Sequence, residues 1–171
     1  GGWPPVVFSN HDQSRHIDRY GPGGDPLRRA RATALLLFTL RGTPFVYYGE
    51  ELGLRNGRLR RADLRDPYTI RYWLWKSGRD PARTPMPWDA SAQAGFTSGK
   101  PWLPLSQDWR QTNVACEQQD PRSMLSLYKR LIRMKKESKA LGARTYQQID
   151  DVPNECLVFR RESHAGGRGE A

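Results

Sequence analysis

Two cysteines and three histidines are all that the 171 residues offer toward thiol or imidazole chemistry. Cys116 and Cys156 lie far apart at no metal-ligand spacing, which argues against a zinc module and leaves reduced thiols in an intracellular, cytoplasmic protein as the expectation. His11, His16 and His164 form no cluster with carboxylates at a familiar ligand spacing, so neither metal nor cofactor is expected. Long apolar runs are lacking too. None approaches the roughly 20 residues that a membrane span needs, and no signal peptide is visible, so no membrane partner is expected. An initiating methionine is missing as well: the chain opens at Gly1 on a strand-like segment and runs out in "HAGGRGEA". A natural domain rarely begins in mid-element, and the expectation is one piece of a larger protein.

Acidic residues are in deficit, 18 against 28 lysines and arginines, for a formal net charge of +10. Arginines crowd in "RLRRADLR" (58–65) and in "KRLIRMKK", which raises a nucleic-acid partner. Acidic or apolar residues interrupt each run, however, and no nucleic-acid-binding motif accompanies them. The preferred reading is a solvated basic surface and no nucleic acid, with a basic nucleic-acid binder kept as the alternative from another class.

What is present reads as α/β. "PPVVFS" (4–9) and "TPFVYYG" (43–49) are continuous apolar runs without in-out alternation, which predicts two fully buried strands. Between them a helix has clear punctuation. Asp25 is its N-cap, Pro26 its first residue, Leu27, Ala30, Ala34, Leu37 and Phe38 its apolar face, and Gly42 stands just past its end. Strand, helix, strand makes one right-handed βαβ unit with parallel strands. From Leu54 to about Glu117 periodicity disappears, yet five of the six tryptophans fall there, so a packed or ligand-facing excursion is expected. A second helix is predicted from Asp120–Pro121 to Gly142, with Met124, Leu127, Tyr128, Leu131, Met134 and Leu141 inward. "RTYQQI" and "CLVFRR" then read as two short strands around "DDVPN". The organisation expected is 1–142 with a long loop at about 54–117, a small β domain starting at 143–162, and an unstructured tail at 163–171.

The polar cluster "SNHD" closes the first strand, and strand C-termini are where α/β barrels gather active sites. Asn10 and Asp12 also fit a simple turn or cap. Glu50 and Glu51 suggest a catalytic pair, but neighbours on a strand face opposite sides, so capping and loop anchoring suit them better. Arg15 either orients Asp12 or plays a surface or loop role. Trp88 and Trp102 offer flat stacking surfaces, with packing the default.

Taken in order, "FSNHDQSR", "LLLFTLRGTPFVYYGEELG", "GRDPARTPMPWD", "AGFT", "PWLPL" and "SLYKRLIRMKK" resemble the α-amylase superfamily of glycoside hydrolases, in its α-glucosidase and oligo-1,6-glucosidase branch. The resemblance covers nearly all of residues 3–162. It implies a (β/α)8 barrel followed by a small antiparallel β domain. Residues 4–9 and 43–49 would be strands seven and eight with their helices, the C-terminal part of a TIM barrel.

The resemblance also implies retaining hydrolysis of α-glucosidic bonds in a small α-glucoside or a malto- or isomalto-oligosaccharide. In such enzymes a nucleophilic aspartate follows strand four and an acid glutamate strand five, positions this chain does not contain, so it is expected to be inactive alone. By the same resemblance Asp12 is the carboxylate that binds two sugar hydroxyls and stabilises the transition state, and His11 donates a hydrogen bond to the adjacent hydroxyl. Arg83 would pair with an upstream aspartate and hold the non-reducing glucose, although a surface ion pair is its plainer role. Pro81-Ala82 departs from the glycine and small or polar residue common in relatives. Transglycosidases or trehalose-forming mutases of the same superfamily share these residues; a non-catalytic barrel that lost its acids is an alternative of another class, which the retained Asp12, His11 and Arg83 disfavour.

Overall fold

The protein is described here from a computed structural model, in which residues 3–20, 23–72, 78–143 and 145–163 are described. The tail expected at 163–171 lies outside them except for Ser163. In chain order the elements are β1 (Pro5–Val7), α1 (His16–Arg19), α2 (Pro26–Thr39), β2 (Thr43–Phe45), α3 (Pro67–Arg71), α4 (Val114–Gln119), α5 (Met124–Glu137), α6 (Lys139–Gly142), β3 (Gln147–Ile149) and β4 (Val158–Arg160). Among the described residues four 3-10 turns punctuate the long excursion between β2 and α4.

The βαβ unit forms as the apolar spacing requires. β1 and β2 pair in parallel, Val6 opposite Pro44, and α2 makes the crossover. Asp25 caps α2 by accepting from the Leu27 amide at 2.9 Å, and Pro26 follows where a missing N–H costs nothing. Ala30, Ala34, Leu37 and Phe38 are buried as expected; Leu27 is exposed. They meet Met124, Tyr128 and Leu131 of α5 in one core cluster that also holds Ile17. Within it the Phe38 and Tyr128 rings pack edge to face, centroids 5.6 Å apart.

Three expectations need correction. The strands are shorter than 4–9 and 43–49, and they are not fully buried: Val7 is 44% and Phe45 55% exposed. No further strand flanks the β1–β2 pair among the described residues; Val6 packs against the core cluster, while the face that carries Val7 and Phe45 is open. The helix expected over 121–141 is three elements. Asp120 and Pro121 begin a turn whose Asp120 carbonyl accepts from the Ser123 amide, and Ser123 is the true N-cap of α5, accepting from the Ser126 amide at 3.0 Å. Ser138 interrupts the far end and caps α6. Finally, Glu50 and Glu51 stand on a 3-10 turn, Glu50–Leu52, not on a strand.

After α6 ends at Gly142, β3 and β4 pair antiparallel, Gln148 opposite Phe159, and Tyr146 stacks on Phe159. Arg161 ties this hairpin to the helices by donating to the carbonyls of Thr39, Leu141 and Ala143.

Candidate functional site

The chain leaves β1 through Ser9 and Asn10, whose side chains fix the turn that presents His11 and Asp12. Asn10 Oδ1 accepts from the Asp12 amide at 2.9 Å, the turn-bracing role its sequence position suggested. Buried Ser9 accepts from the His16 amide and lies 3.0 Å from His16 Nδ1, which anchors the loop to α1.

Asp12, His11 and Arg83 come together. Arg83 Nε donates to the His11 carbonyl at 2.7 Å, and its Nη2 donates to Asp12 Oδ1 at 3.1 Å. His11 Nε2 lies 3.4 Å from Asp12 Oδ2. Arg83 therefore has a carboxylate partner within this chain, and it is Asp12. Asp12 remains about half exposed, so each of its ion pairs is worth no more than about 1 kcal/mol; their effect is directional, holding one oxygen and leaving the other toward His11.

Sequence reasoning missed Arg79. Its Nη1 reaches the same Asp12 Oδ1 at 3.3 Å, while Nε and Nη2 clamp Asp66 at 3.1 and 2.5 Å. Asp66 is buried, also accepts from the Thr69 amide and hydroxyl, and is held well below the usual carboxylate range, at about 2, chiefly by Arg79. The Thr69 hydroxyl in turn accepts from the Arg79 amide at 2.8 Å. This close approach needs glycine before Arg79: Gly78 has φ +65°, and a Cβ there would sit 2.3 Å from Thr69. The one available signal was spacing, since Arg79 and Arg83 are four apart around a turn and can address one target.

Arg83 is delivered by the 3-10 turn Asp80–Arg83, locked from beneath. Arg15 does not touch Asp12, and it is not a surface residue. It is fully buried, donating to the Tyr48 carbonyl at 2.6 Å and the Ala82 carbonyl at 2.9 Å, with Tyr47 and Tyr48 rings around its guanidinium. The Tyr47 hydroxyl also donates to Ala82, and the Tyr48 hydroxyl to Thr84 at 2.8 Å. Burial raises the Tyr48 phenol and lowers the Arg15 guanidinium from their ordinary values. Pro81-Ala82, the departure noted in the sequence, is thus the part of the turn on which this buried cation pulls.

Glu50 takes no part in the Asp12 cluster. It is buried, with Oε1 3.5 Å from His16 Nδ1 and neither oxygen hydrogen-bonded, while burial pushes neighbouring Glu51 up from the ordinary carboxylate value. Trp88 and Trp102 are each about half exposed. Both cysteines are free and exposed. Among the described residues no three His, Cys, Asp or Glu side chains group to hold a metal ion, and no helix is long and apolar enough to cross a membrane.

In front of Asp12 opens a groove of about 430 Å³, lined by Gln13, Ser14, Arg19, Tyr68, Gly78 and Arg79 besides Asp12. Its chemistry is one outward carboxylate oxygen among fixed cations beside an aromatic ring, which suits a neutral polyhydroxylated ligand or one that becomes positively charged.

Residues 1–143 match the family profile described as alpha amylase, catalytic domain. A probable alpha-glucosidase of Rhizobium meliloti (strain 1021) is 44% identical over 142 residues, covering 82% of this chain and 26% of that protein. An oligo-1,6-glucosidase of Parageobacillus thermoglucosidasius is 36% identical over 172 residues, covering 89% and 31%. Among solved structures, the alpha-glucosyl transfer enzyme XgtA superposes with a TM-score of 0.87 at 43% identity, over 96% of this chain and 30% of that one. A mutant of the trehalulose synthase MutB in complex with the substrate sucrose gives 0.82 at 33% identity, over 96% and 33%. The chain thus spans about a quarter to a third of the length of the relatives it matches.

Proposed function

Since the chain belongs to the alpha-amylase family, we propose that it forms the sugar-holding side of a retaining α-glucosidase-type glycoside hydrolase acting on α-glucosidic bonds of short oligosaccharides. The observation that carries this reading is the convergence of Asp12, His11 and Arg83 at one strand end, with Arg79 behind them. In this reading β1 and β2 are strands seven and eight of a (β/α)8 barrel, residues from 143 begin the β domain, and the exposed Val7 and Phe45 are covered by the rest of the barrel.

Asp12 then accepts from two sugar hydroxyls and stabilises the positive charge that develops on the ring; its carboxylate is aimed in advance, so the stabilisation grows as charge grows. His11 donates to the neighbouring hydroxyl. Arg83 holds both the turn and Asp12. The bond-breaking nucleophile and acid belong to strands outside this chain, so the chain alone is inactive. A glucosyl-transfer variant of the same chemistry is the second reading, favoured by the resemblance to XgtA. In it a sugar hydroxyl replaces water in the second step.

The test is release of nitrophenol from p-nitrophenyl α-glucoside. The chain alone is expected to give none, a complementing polypeptide that supplies the other barrel strands to restore it, and Asp12→Asn to abolish the restored activity. Turnover by the chain alone, or a restored activity indifferent to Asp12→Asn, would sink the reading; transfer products seen with a sugar acceptor favour the second one.

A further inference from the structure

A second groove, of about 480 Å³, lies on the excursion between β2 and α4 and shares no lining residue with the groove at Asp12. Leu103, fully buried, lies among its lining residues, as does the half-exposed indole of Trp102. Trp109 stands nearby with the Arg110 guanidinium stacked 4.3 Å from its ring centroid. The Arg65 backbone amide donates to Asp80 Oδ2 at 2.7 Å; among the described residues its side chain donates through Nε alone, to the Trp102 carbonyl at 3.4 Å, and Lys100 has no hydrogen-bond partner.

Gln93 completes the groove from a backbone that L-residues avoid. It and Ala94 both sit at φ 55°, in the left-handed region, followed by Gly95 at φ +64°. Ala94 is completely buried and its carbonyl accepts from the Trp88 and Asp89 amides, so surrounding structure enforces the turn. Such conformations cost energy and cluster at sites that bind or react. The Gln93 amide, donor and acceptor at once, has no protein partner among the described residues.

We propose that this groove is a second saccharide-binding site, distinct from the one at Asp12, in which the apolar C–H face of a pyranose stacks on Trp102 while Gln93 and Arg65 hydrogen-bond its hydroxyls. An indole beside polar groups able to donate and accept fits a neutral sugar. A polyanion fits less well, because Asp63 sits in the groove and engages Arg60 through two bonds, at 2.9 and 3.1 Å. The proposal goes beyond the reading of Asp12 and does not depend on it.

The experiment is isothermal titration of the 171-residue chain with maltotetraose, followed by indole N–H signals in NMR. Saturable binding is expected, with the Trp102 signal moving. Trp102→Ala should weaken it about tenfold and Trp102→Phe less. Should Trp102→Ala lose its far-ultraviolet dichroism, Trp102→Phe and Gln93→Ala decide. The proposal is overturned by no saturable binding, by binding that leaves the Trp102 signal unmoved, by Trp102 and Gln93 variants that titrate like the parent, or by displacement of the sugar by a single-stranded oligonucleotide at low salt.

Discussion

Replacing Arg15 by methionine tests whether the floor under the site is an ionic keystone or ordinary packing. Methionine keeps the apolar stem and removes the guanidinium, so the Tyr48 and Ala82 carbonyls, accepting at 2.6 and 2.9 Å, lose charged donors in a dry setting. Each such bond contributes about 1.5–3 kcal/mol. Relief of the desolvation that a buried cation suffers offsets part of this. The Tyr47 and Tyr48 hydroxyls still hold Ala82 and Thr84. The balance is a loss of about 2–4 kcal/mol, read as a fall in the urea midpoint at unchanged slope. Gly49→Ala reaches the same spot from another side: Gly49 has φ +85°, and a Cβ would lie 2.8 Å from Arg15 Nη1. It should destabilise the parent more than it does Arg15→Met, because in the double variant one clash is gone. A methionine variant as stable as the parent, with additive effects in the double variant, would refute the keystone.

Two carboxyls should move acid stability in opposite directions. Asp66, held at about 2 against an ordinary 3.8, stabilises the fold above that ordinary value and loses its contribution as pH falls from about 4 to about 2. Asp66→Asn should flatten this acid limb in urea midpoints measured against pH, and an unchanged limb would count against the Arg79 clamp. Glu117, pushed up to about 7 by burial while its Oε2 accepts from the Leu125 amide, favours the fold below its ordinary 4.5 and loses that contribution as pH rises through about 7. Glu117→Gln should remove the decline between those values, and a variant that keeps the same decline would contradict it.

Local chemistry was legible wherever one short stretch carried the whole signal. Asp25–Pro26 caps α2 and Gly42 stands beyond its end, just as their side chains dictate. Asp120–Pro121 looked identical but served a turn, because Ser123 three residues later caps better and its hydroxyl also binds the Glu117 carbonyl. Continuous apolar runs announced β1 and β2 but not their exposure, which depends on neighbours that no local pattern describes. At the site, Asp12, His11 and Arg83 were found through motifs. Arg79 was missed because its partner Asp66 lies thirteen residues back in an aperiodic excursion, and Arg15 because its acceptors are backbone carbonyls, invisible to any reading of side-chain types.

The two guanidiniums on Asp12 Oδ1 have one more implication. A free surface carboxylate rotates and reorients its hydration whenever a ligand arrives, and that reorganisation costs energy at each encounter. Here Arg79 is itself braced by buried Asp66, and Arg83 by its turn, so the carboxylate plane is set before any ligand comes. Only Oδ2 must exchange solvent. On the proposed reading selectivity at this centre is stereochemical: among sugars differing at a single carbon, those whose hydroxyl meets that one oxygen in its own plane gain most.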